Sequence, residues 1–164
     1  MNSFRICITG GSGFIGTTAM QWAIDQSFEV INFDICPPKI LSHQPFWKYV
    51  DIREKDQFTS ALGAFQPTHI WHLAAMTGMD IEEMSFFDAN TIGVQNLIEA
   101  SKRLAKLKRI QFTSSLLVCR NGHVPESDTE YCPPNLYGES KVIGEKLVRD
   151  SNMKCPWVIV RPTS

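Results

Sequence analysis

Two groups of residues in this sequence have the types and spacing to do chemistry. The first is Gly10-Gly11-Ser12-Gly13-Phe14-Ile15-Gly16, where glycines 11, 13 and 16 satisfy G-x-G-x-x-G and glycines 10, 13 and 16 satisfy G-x-x-G-x-x-G. A pyrophosphate must approach the backbone closely, and a Cβ there would obstruct it. The amino end of a following helix then offers free N–H groups and a partial positive charge. Asp34 stands 18 residues beyond Gly16. A carboxylate at that point can accept hydrogen bonds from both hydroxyls of an adenosine ribose, and it would repel a 2′-phosphate. No Lys or Arg occurs between Gly10 and Asp34, so NAD is expected over NADP.

The second group is Tyr137-Gly138-Glu139-Ser140-Lys141, which places a phenol and an ammonium at i and i+4 on one helix face. A tyrosine of pKa about 10 is a poor base at neutral pH, and bringing it near 7 takes roughly 4 kcal/mol of preferential phenolate stabilisation. An exposed lysine supplies at most about 1 kcal/mol. A second positive group in a dry site is needed, and an oxidised nicotinamide ring is one. Ser114 and Ser115 stand where a strand should end, and a hydroxyl there can hold a substrate oxygen while its proton moves to or from the tyrosine.

The elements that must position these groups alternate along the chain. Residues 4–9, 29–33, 47–50, 68–73, 109–115 and 156–160 read as strands, and 14–26, 55–65, 86–107 and 135–149 as helices. Such alternation implies right-handed βαβ units. The expected fold is α/β, a doubly wound parallel Rossmann-type sheet of strand order 3-2-1-4-5-6, with ligands outside the carboxyl ends of the strands. The chain ends directly after the last strand, at Arg161-Pro162-Thr163-Ser164, which reads as a fragment or an incompletely ordered chain.

Composition narrows the classes. The 164 residues carry 16 Lys+Arg against 17 Asp+Glu, a net charge of -1 that offers no broad footprint for nucleic acid. The basic run from Lys102 to Arg109 reads as the solvated end of a helix. No apolar run approaches the roughly 18 residues of a membrane span, and Met1-Asn2-Ser3-Phe4-Arg5 does not read as a signal peptide. The five cysteines, Cys7, Cys36, Cys119, Cys132 and Cys155, are odd in number and lack C-x-x-C spacing. Reduced thiols in a cytoplasmic protein are therefore expected, with neither a disulfide frame nor a metal site.

Thr9-Gly10-Gly11-Ser12-Gly13-Phe14-Ile15-Gly16, Asp51-Ile52-Arg53, His72-Leu73-Ala74-Ala75, Thr113-Ser114-Ser115 and Tyr137-Gly138-Glu139-Ser140-Lys141 occur in the order and at the approximate spacing of the extended short-chain dehydrogenase/reductases. More narrowly, the chain resembles the NAD-dependent nucleotide-sugar epimerase/dehydratase family. Asn90, Glu145 and Arg161-Pro162 fit the same pattern.

The resemblance implies that Gly10, Gly13, Phe14, Ile15, Gly16 and Asp34 hold the cofactor, with Asp51 and Ile52 at the adenine edge. Leu73, Ala74 and Ala75 would line its middle, with Asn90 nearby. Ser115 would be the active-site hydroxyl, Tyr137 the acid/base, and Lys141 the residue that tunes the phenol and holds the nicotinamide ribose. His72 would be structural, and His43, His69 and His123 show no partner pattern. It further implies that residues 1–164 are an NAD-binding domain whose substrate domain lies beyond residue 164. The implied partners are a nucleotide sugar and a second copy, in a homodimer packed through 86–107 and 135–149, where Ile92, Ile98, Val142 and Leu147 supply apolar surface.

Two departures refine this. Leu116-Leu117 replaces the Asp-Glu pair that dehydratases of this kind carry, which disfavours sugar 4,6-dehydration; Val118-Cys119-Arg120 stands where the family runs toward Val-Tyr-Gly. A 4-epimerase-type oxidoreductase working through a keto-sugar is the leading expectation. The alternatives are a non-catalytic NAD-binding regulatory module and a reductase of a steroid- or flavonol-like alcohol.

Overall fold

The chain is described by a computed structural model covering residues 4–162. The readings that rest on Met1, Asn2 and Ser3 or on Thr163 and Ser164 lie outside the described residues.

Apolar runs bounded by glycine and proline form six strands: β1 (Arg5–Thr9), β2 (Glu29–Asp34), β3 (Trp47–Tyr49), β4 (His69–His72), β5 (Arg109–Thr113) and β6 (Trp157–Val160). They make one parallel sheet in the order β3-β2-β1-β4-β5-β6, as the alternation of elements required. The order reverses between β1 and β4, where Thr9 pairs with His72 in register. The Thr9 hydroxyl meets His72 Nδ1 at 2.8 Å and fastens these two carboxyl ends together. A reversal of this kind opens a crevice outside the strand ends.

The helices are α1 (Phe14–Asp25), α2 (Lys55–Phe65), α3 (Asp88–Ser101) and α4 (Leu136–Arg149). The larger core lies on one sheet face, where Cys7, Phe33, Ile70 and Ile110 meet Phe58 and Leu62 of α2, Leu97 of α3 and Val148 of α4. On the other face Ile6, Ile8 and Val30 pack against Met20 and Ala23 of α1. No helix among the described residues is long and apolar enough to cross a membrane.

The expected helix over 86–107 is shorter at both ends. A 3-10 turn, Met84–Phe87, precedes α3. At the other end Ser101 Oγ donates back to the Ile98 carbonyl at 2.7 Å, and Leu104 N donates to Ser101 O at 3.1 Å. These tight turns bring Leu104 and Leu107 back onto the core, which a straight helix would carry past. Among the apolar positions assigned to a dimer, Ile98 and Val142 are buried in the chain's own packing, while Ile92 stays 43% exposed.

Candidate active site

The turn from β1 into α1 uses each glycine differently. Gly10 has φ +73°, and a Cβ there would meet Ala74 N at 2.6 Å. A Cβ on Gly16 would run into the Gly10 carbonyl oxygen, and one on Gly11 would meet Asn32 Oδ1 at 2.5 Å. Gly13 is different: the Gly10 oxygen lies 3.2 Å from its Cβ position and the rest of the space is open. Gly10, Gly13 and Gly16 border the cleft and Gly11 does not, so the 10-13-16 spacing is the one that faces a ligand. The N–H groups of Phe14, Ile15 and Gly16 have no acceptor within the helix, and the first turn of α1 carries no acid. The result is a seat for an anion.

Toward β2 the cleft widens into a space of about 360 Å³ bordered by Asp34, Cys36, Lys39, Asp51, Ile52 and Arg53, with Leu73, Ala74 and Ala75 on its inner wall. Its polar groups are held by the protein itself. Asp34 accepts from Ser12 N and from Cys36 N, each at 2.9 Å, which leaves further lone pairs on the carboxylate. Asn32 accepts from Gly11 N at 2.9 Å and donates to Ser12 Oγ at 3.0 Å, and Ser12 Oγ donates to the Cys36 carbonyl at 2.8 Å. Asp51 is gripped by Arg53, with Nη2 at 2.6 Å, and this hydrogen bond holds its carboxyl below the usual carboxylate range. Asn96 of α3 donates to the carbonyls of Ile52 and Arg53 at 3.0 and 2.9 Å and pins that corner.

Beyond the glycine turn a second space of about 480 Å³ is bordered by Phe14, Ile15, Ser115, Tyr137, Lys141 and Pro162. It shares Gly10, Gly13, Leu73 and Ala75 with the first, so the two are halves of one cleft. Ser115 caps a short turn, its Oγ accepting from Leu117 N at 3.1 Å, which leaves the hydroxyl proton free to donate. Asn135 caps α4 by accepting from Gly138 N at 2.9 Å. A Cβ on Gly138 would collide with the Leu117 carbonyl oxygen, so glycine there lets α4 start against the turn that follows Ser115.

Burial pushes the Tyr137 phenol above the usual tyrosine range, and the Ser115 hydroxyl pulls it partly back. Lys141 is buried and donates to the Thr113 carbonyl at 2.7 Å. Burial lowers its pKa to about 8, while Glu145 opposes the drop. Glu145 is buried too, and receives Arg161 through Nε at 2.7 Å and Nη2 at 2.6 Å, and the Tyr131 hydroxyl at 3.0 Å.

Two expected residues sit behind the wall. Asn90 is 2% exposed and borders neither half of the cleft, lying one layer behind it through Met76, which does border it. Its amide is committed to Met76 N and O and to Ser140 Oγ, all at 2.9 Å, so it ties the loop after β4 to α4. His72 is 3% exposed, and burial lowers its pKa to about 3, which keeps it neutral. Sequence reasoning passed over Asn32, Asn96 and Lys39, and read Arg53 only as part of the Asp51-Ile52-Arg53 motif. A polar residue inside the apolar strand β2 was a usable signal for Asn32; Arg53 lies on a loop that only the folded sheet brings to the cleft that Asp34 borders.

The glycine seat, the free lone pairs of Asp34 and the buried ammonium of Lys141 fit a dinucleotide. Comparison with known proteins defines the class. Residues 6–164 match the sequence model of the NAD dependent epimerase/dehydratase family. The chain belongs to that family, whose members are NAD-dependent. It is 32% identical, over 97% of its length and 48% of the relative's, to N-acetyl-alpha-D-glucosaminyl-diphospho-ditrans,octacis-undecaprenol 4-epimerase of Escherichia coli O157:H7. It is 30% identical, over 90% of its length and 43% of the relative's, to a 3-beta-hydroxysteroid dehydrogenase of Mycolicibacterium neoaurum. The Thermus thermophilus UDP-glucose 4-epimerase, solved with NAD, superposes with a TM-score of 0.82 at 26% identity, covering 96% of this chain and 54% of that one. The chain thus spans about half the length of the relatives it matches.

Proposed function

We propose that this chain is the NAD-holding, proton-transferring part of an enzyme that inverts the 4-hydroxyl of a nucleotide sugar. The observation that carries the reading is the single cleft in which Ser115, Tyr137 and Lys141 adjoin the glycine seat. Two relatives named as 4-epimerases, and Leu116-Leu117 in place of an acidic pair, support epimerisation over dehydration. Residues 1–164 act as the NAD-binding domain, and a further domain of the kind that the relatives' extra length can supply holds most of the sugar. A cytoplasmic setting and a homodimer through α3 and α4 belong to the same reading. Sedimentation of the NAD-loaded protein as a monomer at micromolar concentration would remove the dimer.

In this mechanism Asp34 accepts hydrogen bonds from the adenosine ribose, Gly10, Gly13 and Gly16 admit the pyrophosphate, and Lys141 holds the nicotinamide ribose. When bound, NAD supplies a hydride acceptor and, once reduced, a hydride donor. Ser115 donates its hydroxyl proton to the substrate's reacting oxygen. Tyr137 takes the proton from that hydroxyl and later returns it to the same oxygen. Burial disfavours the phenolate and the Ser115 hydroxyl favours it, so Tyr137 would act as a base beside positive charge, which the Lys141 ammonium and an oxidised nicotinamide would supply.

A second reading, oxidation of a steroid-like alcohol, is favoured by the apolar catalytic half (Phe14, Ile15, Leu73, Ala75 and Pro162) and by the steroid dehydrogenase relative. Arg120 is the sole Lys or Arg in residues 116–134, which offers little to a diphosphate. The full-length protein, given NAD and UDP-hexoses, should return the 4-epimer by NMR product analysis. Oxidation of a 3β-hydroxysteroid without epimerisation would move the assignment to the second reading. NAD binding with neither activity would leave a regulatory module.

A further inference from the structure

The loop that follows Ser115 leaves the sheet and returns beside itself. Cys132 N donates to Val118 O at 2.9 Å and Arg120 N donates to Cys132 O at 2.7 Å, which makes Cys119 and Cys132 partners in an isolated parallel bridge. Paired positions in a ladder project to the same side, across a strand spacing of about 4.8 Å. That spacing lies inside the range of roughly 4.4–6.8 Å between the Cα atoms of disulfides. Both thiols are free and half-buried. Cys119 Sγ already leans across the bridge, donating to the Glu130 carbonyl at 3.4 Å, two residues before Cys132. The remaining cysteines stand elsewhere: Cys7 is buried in β1, Cys36 borders Asp34, and Cys155 precedes β6.

We propose that Cys119 and Cys132 are an oxidation site at which a low-molecular-weight disulfide converts the two thiols reversibly into one intramolecular disulfide. The Cys119 thiolate attacks one sulfur of the oxidant, breaking its S–S bond, forming a mixed disulfide and releasing one thiolate. Cys132 then attacks the Cys119 sulfur, which forms the internal S–S bond and releases the second thiolate. Two electrons pass to the oxidant, and the protons given up by the two cysteines end on the two released thiols. The bond would staple the strap that runs from Ser115 to the start of α4, since Leu117 O abuts Gly138 and Tyr131 donates to Glu145 within the same loop.

The test is to equilibrate the native protein in mixtures of reduced and oxidised glutathione, block free thiols with N-ethylmaleimide, and map the digest by mass spectrometry. A Cys119–Cys132 linked peptide, lost again on adding excess glutathione, is expected, with Cys36 and Cys155 recovered as alkylated thiols. Cys132→Ser should trap a stable glutathione adduct on Cys119. Glutathione adducts on both residues without a link, a dominant link through Cys36 or Cys155, or a link formed in guanidinium but not in the native protein would each overturn the proposal. The readout needs no substrate and no NAD, so its failure leaves the proposed function standing, and the reverse holds too.

Discussion

The two halves of the cleft are built on opposite principles. In the adenosine half the carboxylates and the Asn32 amide already have protein partners: Asp34 holds Ser12 N and Cys36 N, Asn32 holds Gly11 N, and Arg53 holds Asp51. In the catalytic half the ionisable groups are buried with fewer partners. Lys141 has the Thr113 carbonyl, and behind it lie His72, whose Nε2 has no partner among the described residues, and Ser114. These last two border a void of about 20 Å³ with Lys141 and Glu145, room for a single water. The first half is shaped before any ligand arrives. The second half keeps its ionisable groups desolvated, and burial raises the Tyr137 phenol and lowers the Lys141 ammonium.

The comparison breaks first at Tyr137. Tyr137→Phe should lower kcat of the full-length enzyme by about 10²–10⁴, with NAD affinity within twofold by calorimetry. Near-normal turnover would show that the desolvated half does not carry the proton chemistry.

Next in size is the response to acid. His72 is neutral in the fold, with a pKa lowered from 6.5 to about 3, so the unfolded chain binds more protons between those values. Its contribution is fully present above pH 6.5 and falls away as the pH drops through that window, up to about 5 kcal/mol in total. Urea melts of the wild type and of His72→Asn should differ in slope against pH between roughly 6 and 4. Parallel slopes would mean that His72 is not held neutral by its burial.

In the adenosine half the effects should be smaller and confined to binding. Asp34→Ala should cost NAD about 1–3 kcal/mol, the price of hydrogen bonds left unmade, and should narrow the preference over NADP, with Lys39 available to the 2′-phosphate. Equal affinity of the wild type for NAD and NADP would contradict that role. Smallest is Asn32→Ala, which frees Gly11 N and Ser12 Oγ and should weaken NAD binding by about 1 kcal/mol without changing the pH profile of turnover. A changed pH profile would show that the two halves are linked more tightly than their hydrogen bonds indicate.

Local pattern was enough to read the alternating elements, the sheet order and the glycine turn from the sequence. Strand and helix periods and glycines at a turn are short-range matters. The same holds for Tyr137 and Lys141, one helical turn apart, and for Ser115 at the end of its strand. Tertiary structure decided what long-range packing controls. It turned the tail of the 86–107 helix back onto the core at Ser101, because Leu104 and Leu107 had to meet a sheet that residues far away in the chain had built. It drew Asn90 behind the wall, because Met76 and Ser140, 14 and 50 residues away, presented the groups its amide could satisfy. It also brought Arg53 to the cleft that Asp34 borders, and Cys119 beside Cys132, since neighbours across a fold are set by where strands and loops come to rest and leave no periodic trace along the chain.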